Sequence, residues 1–268
     1  MHDLLTYHKL KLIHANQVTY LKEEYTDQTL GGWNITDGEW HAITVDSNID
    51  ESGGLDGDLA IESIGSYDGG TIEREIELDN YGEILFEHYV QNENLDGINT
   101  LKFYVDGVEK LCVEGASPWY RCAPIGVSPG THTLKFVYDT DGAPNSKKAV
   151  IDTFTIRIGK TVPCLITTYQ PAKPIRNLAS NKVLRGNIQY QQMIKSDTEI
   201  NFTATFSGLE YHYFMSICED TFYFVDEFGI CYRGIFPEDT EPNMIAMNCV
   251  YAVELCMRSC NQIARGFC

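Results

Sequence analysis

Asp106-Gly107 stands between two runs that alternate apolar and polar residues, Leu101-Lys-Phe-Tyr-Val105 and Val108-Glu-Lys-Leu-Cys-Val113. A two-residue connection of this kind needs positive φ at both positions. Asp tolerates that conformation and Gly adopts it freely, so the pair predicts a tight β-hairpin. Alternation then continues through Gly130-Thr-His-Thr-Leu-Lys-Phe-Val-Tyr138 and Ala149-Val-Ile-Asp-Thr-Phe-Thr-Ile-Arg-Ile158. Side chains on a strand point to opposite faces in turn, so Leu101, Phe103 and Val105 share a face. The same parity groups Leu134, Phe136 and Tyr138, and it groups Val150, Phe154, Ile156 and Ile158. An antiparallel sandwich follows, and function must lie in its loops or on its outer faces.

Upstream, Trp40-His-Ala-Ile-Thr-Val45 reads as a strand. So does the run carrying Ile72, Ile76 and Leu78, with Arg74 as the exception, and so does Ile84, Phe86, His88 and Val90. About eight strands reach Ile158 at the spacing of a sandwich or barrel. Pro163, Pro171 and Pro174 then interrupt the pattern, which predicts a linker over 161–180. Strand signals resume at Ile200-Asn-Phe-Thr-Ala-Thr-Phe206, at Phe222–Phe236 and at Cys249–Met257. The expectation is an all-β chain: an N-terminal arm over 1–30, a jelly-roll β-sandwich over 31–160, and a second, smaller β domain over 181–268.

The chain carries a net charge of −18, from 38 acidic and 20 basic side chains. No basic residues cluster, so a nucleic-acid partner is not expected. No apolar run has the length of a membrane span. The opening Met1-His-Asp-Leu-Leu-Thr-Tyr-His lacks the basic start, apolar stretch and small-residue cleavage site of a secretory leader, so synthesis in a cytoplasm is expected. The nine cysteines form no Cys-x-x-Cys pair. Cys112 and Cys249 fall in apolar strand patterns, which reads as reduced, buried thiols. Cys256, Cys260, Cys268 and His212 do not match the spacing of common zinc frameworks.

No catalytic signature is present: no Gly-x-Ser-x-Gly elbow, no His-Glu-x-x-His, and no glycine-rich nucleotide loop. A non-enzymatic protein is therefore the expectation. Asp46, Asn48, Asp50 and Ser52 place side-chain oxygens at every second residue, as a calcium loop does. Glu51 occupies the place of the tight-turn glycine and Gly57 that of the closing glutamate, while Asp56 and Asp58 supply further oxygens. Asp46, Asn48, Asp50 and Asp56 are thus a candidate calcium set, with a solvated acidic loop as the alternative. Asp139, Asp141 and Asn145 make a weaker one. Asp152 has inward parity in its strand and needs a partner. Aromatic rings stack against the C–H faces of sugars. Trp119 and Tyr120 after Pro118, together with Trp33, are the candidate glycan-stacking residues; core packing is the alternative for each.

Trp33 to Ile158, with Phe103-Tyr-Val-Asp-Gly107, Trp119, Gly130-Thr-His-Thr-Leu134, Tyr138 and Ile151-Asp152, resembles jelly rolls of the carbohydrate-binding-module kind. The C-terminal part, with Phe224-Val-Asp-Glu-Phe-Gly229 and Tyr232-Arg-Gly-Ile-Phe236, resembles small β domains of tailed-bacteriophage structural proteins. Together these resemblances imply a virion component of the tail, baseplate or capsid surface, made in the host cytoplasm. Such a protein would assemble with other virion proteins, as a homo-oligomer or within a symmetric particle, and would contact a host surface glycan. The alternative is a carbohydrate-binding module of a sugar-processing or adhesion protein. In either case the first 30 residues are expected to act as a docking arm.

Overall fold

A computed structural model describes residues 10–22, 30–44, 59–64, 69–92, 99–140, 147–175, 178–182, 188–192, 197–237, 243–247 and 250–265. Its elements in chain order begin with β1 (Lys11–Lys22), β2 (Asn34–Gly38), β3 (His41–Thr44), β4 (Leu59–Ile64), β5 (Gly70–Leu78), β6 (Gly82–Asn92) and β7 (Asn99–Val105). Next come β8 (Val108–Glu114), β9 (Ser117–Arg121), β10 (Ile125–Val127), β11 (Gly130–Thr140), β12 (Lys147–Thr161) and β13 (Leu165–Ile175). The chain continues with β14 (Leu178–Lys182), β15 (Ile188–Gln192), β16 (Asp197–Ser207), α1 (Gly208–Ile217), β17 (Phe222–Val225), β18 (Ile230–Ile235), β19 (Asn243–Met247) and β20 (Val250–Arg265). The fold is all-β and antiparallel, and α1 is the single helix among the described residues. It is too short to cross a membrane.

Two compact units share the chain. One is 18–158; the other combines 1–17 with 159–268, and β1 and β12 carry the chain between them. The 18–158 unit is the jelly-roll sandwich. One sheet runs β2-β5-β11-β7-β8. The other sets β9 and β10 on one side of β6, then β12, β4 and β3. The Asp106-Gly107 hairpin forms as its residues require, with φ of 53° and 74°. The core lies between the sheets, where Phe86, Phe103, Phe136 and Phe154 meet in edge-on and tilted contacts around Ile61, Ile72, Leu101 and Ile156. Arg74, the polar exception on β5, donates from Nη1 to the Gly31 carbonyl at 2.5 Å.

Strict alternation fails once, in β12. The register against β6 shifts between Asp152 and Thr155, and Thr153 takes φ of 47°. This bulge exchanges the faces. Ala149 and Ile151 point into the core before it, and Phe154, Ile156 and Ile158 after it. Val150 therefore does not share a face with Phe154, contrary to simple parity. Asp152 likewise falls on the side away from the core cluster, buried, and its Oδ1 accepts from the Thr153 amide at 2.6 Å.

In the second unit β1 pairs β17, β17 pairs β18, and β18, β20, β16 and β13 follow in order. Phe202, Phe206, Phe214, Phe222, Phe224 and Met257 centre its core. Two expectations are corrected here. Residues 10–17 are no detached arm: Leu10 and Leu12 belong to this core, and Lys11 to His14 pair with Val225 to Phe222. The stretch 161–180 is no plain linker: Val162 and Ile166 are core residues, and β13 pairs β16. Two of its prolines, Pro171 and Pro174, fall in β13, which pairs β16 alone among the described strands, and an edge strand tolerates proline. The register irregularities between Ile166 and Thr168 and between Gln170 and Lys173 absorb the rest.

Candidate functional site

Strand β9 lies on the rim of the sandwich, beside β6. Cross-strand pairing sets Arg121 opposite Glu87 and Tyr120 opposite His88, and the ladder shifts before reaching Ser117–Val90. Side chains of β6 alternate, so Phe86, His88 and Val90 enter the core side while Glu87 and Tyr89 take the other face. Trp119 sits over Tyr89, with ring centroids 5.6 Å apart and planes at 32°. Both rings are half-buried, and Arg121 beside them is exposed. The Trp119 indole N–H is shielded from solvent and meets no acceptor among the described residues. Tyr120 projects outward, 66% exposed, with His88 6.4 Å from its ring. Burial shifts the His88 pKa down, which favours its neutral form.

Around the aromatic pair the same face of β6, β12 and β4 carries ionic side chains. Glu62 on β4 is buried and accepts a salt bridge from Lys148 on β12 at 3.0 Å. Glu87 is buried opposite the exposed Arg121. The face therefore offers two half-exposed rings and an exposed cation at Arg121, with the carboxylates buried beside them. Rings bind apolar C–H surfaces, and the polar groups exchange hydrogen bonds with hydroxyls.

The sequence-derived candidates separate on this geometry. Trp119 and Tyr120 are neighbours on β9 at the rim, on opposite faces: Trp119 with Tyr89 and Tyr120 with His88. Trp33 does not join them: it is 4% exposed, packed at 5.2 Å from both Phe136 and Phe154 in the core. Burial on all sides leaves it no face for a sugar. Trp40, at 2% exposure, is a core residue as well. Tyr89 is the member that sequence reading missed. Its signal was present, since a residue between the inward-facing His88 and Val90 must face the other way.

Asp46, Asn48, Asp50 and Asp56 lie outside the described residues, as do Asp141 and Asn145, while Asp139 is exposed. Among the described residues no three His, Cys, Asp or Glu side chains come together as a metal-holding group. Cys112 is exposed on β8, not buried as its apolar neighbours suggested, because β8 is an edge strand and Cys112 points away from the core. Burial raises the thiol pKa of Cys122 to about 11 and of Cys164 to about 12, so neither is a nucleophile at neutral pH. A separate polar cleft of about 470 Å³ on the other sheet is lined by Tyr20, Leu21, Arg74, Glu77 and Thr131.

No protein-family model matches the chain, and no curated protein matches it. Solved structures do. The K3 adhesin domain of Lys-gingipain from Porphyromonas gingivalis w83 is 14% identical, with a TM-score of 0.38 over 52% of this chain and 99% of that one. The CBM22-1 xylan-binding domain of Paenibacillus barcinonensis Xyn10C is 14% identical, at 0.37 over 55% of this chain and 97% of that one. TmCBM61, solved with β-1,4-galactotriose, is 15% identical, at 0.38 over 53% and 99%.

Proposed function

We propose that this chain is a non-catalytic carbohydrate-binding protein whose sandwich holds a glycan along β9. The observation that carries this reading is the Trp119–Tyr89 pair: two half-exposed rings on a strand edge. A pyranose stacked there covers apolar ring surface, and its hydroxyls reach the exposed Arg121. Arg121 shares the face of the pair and adds a cation, while Tyr120 lies with His88 on the opposite face of the strand. Glycan contact is common to both functions that the sequence resemblances imply. A place in a virion rests on those resemblances alone, and no structural observation favours it.

The test is affinity electrophoresis through a panel of neutral, acidic and amino-bearing polysaccharides. At least one should retard the wild-type chain and release no reducing ends on prolonged incubation. Trp119→Ala and Tyr89→Ala should each weaken retention about tenfold or more, in line with the loss of one stacked ring. Retention unchanged in both variants would contradict the assignment of the site.

A further inference from the structure

We propose that β8 is a self-association edge, through which two copies of the chain pair antiparallel about Cys112 and join their β2-β5-β11-β7-β8 sheets into one. The proposal does not rest on the glycan reading. β8 ends its sheet and pairs β7 on one side only. Its outer-face side chains are exposed along its length, and no other described strand pairs it. Such an edge presents unpaired backbone donors and acceptors to any strand that fits.

The side chains determine which strand fits. Leu111 and Val113 point toward the core and pack against it, yet stay half-exposed, and no described strand lies beyond them. Cys112 and Glu114 point to the outer face, and Lys110 is the bulge residue that β7 leaves unpaired. Centring a two-fold on Cys112 sets Leu111 opposite the partner copy's Val113, and Val113 opposite its Leu111. Lys110 then faces Glu114 of the second copy, twice over. Opposite charges and apolar residues each find their complement, the arrangement that stabilises a cross-strand ladder. A lone lysine on an edge discourages pairing; here the two-fold register gives that lysine a carboxylate. The contact is isologous, so it closes as a dimer and does not propagate. One strand pair buries little area, which places the complex among weak, concentration-dependent ones.

The experiment is sedimentation velocity of the full chain over a concentration series, with circular dichroism confirming that each variant is folded. The wild type should shift reversibly from monomer to dimer. Lys110→Glu and Glu114→Lys should each raise the dissociation constant about tenfold, since each replaces two attractive pairs by two repulsive ones. The double swap Lys110→Glu/Glu114→Lys should restore dimerisation. In the dimer a short bis-maleimide should join Cys112 to Cys112, and Cys112→Ser should abolish that cross-link. A monomeric wild type, a dimer indifferent to the single swaps, or a double swap no better than either single would overturn the proposal.

Discussion

Three tryptophans occur in this chain, and their surroundings assign them different work. Trp33 fills the centre of the sandwich against Phe136 and Phe154, whereas Trp119 leans on Tyr89 at the rim. Trp33→Ala should cost about 3–5 kcal/mol of unfolding free energy in urea denaturation, the usual range for emptying a buried aromatic site. Trp119→Ala should cost far less and act on binding. The sequence could not rank the two, because a Trp beside Gly31-Gly32 and a Trp after Pro118 both look like loop residues. What separates them is long-range burial, which local pattern does not encode. Gly69 is a backbone constraint of the same hidden kind: φ is 86°, and a Cβ there would overlap the Tyr138 carbonyl oxygen.

At the scale of elements, alternation and the Asp-Gly turn made the hairpin and the faces of β7 and β11 legible. The bulge in β12 was not, since Asp152-Thr153 carries no glycine to mark it. Helix α1 was readable and overlooked: Ser207-Gly-Leu-Glu210 has the spacing of a capping box. Glu210 accepts the Ser207 amide at 2.8 Å, and that bond, with the Ser207 side chain, holds its pKa below the ordinary carboxylate range. The depressed value means that the stabilisation is present above the unfolded pKa and is lost as pH falls through the folded one. Hydrogen exchange at the Ser207 amide should therefore lose protection on acidification below the ordinary carboxylate range. Glu210→Gln should remove most of that pH dependence. Strand β1 was read as an arm because its apolar residues precede the first clear sandwich strand. Its partner, β17, lies some two hundred residues downstream in sequence, a pairing no local signal reports. Leu12→Ala should lower unfolding free energy by about 2–4 kcal/mol. A change within a few tenths would restore the detached-arm reading.

For the whole molecule, sequence patterning reached the all-β class and the sandwich. It misdrew the boundary between units, because proline was read as a linker where an edge strand tolerates it, and because a unit assembled from both ends of the chain leaves no contiguous signature. Trp119 is the half-exposed tryptophan among three, so the iodide-accessible part of the fluorescence reports on the proposed site. The most direct measurement is a fluorescence titration of the full chain with the oligosaccharide of whichever polysaccharide retards it, run with iodide as quencher. The account predicts that iodide quenches one tryptophan population, that saturating oligosaccharide protects it, and that both effects vanish in Trp119→Phe while Trp33 and Trp40 still report a folded core. A glycan that binds equally well to Trp119→Phe, or that binds without shielding Trp119, would contradict it.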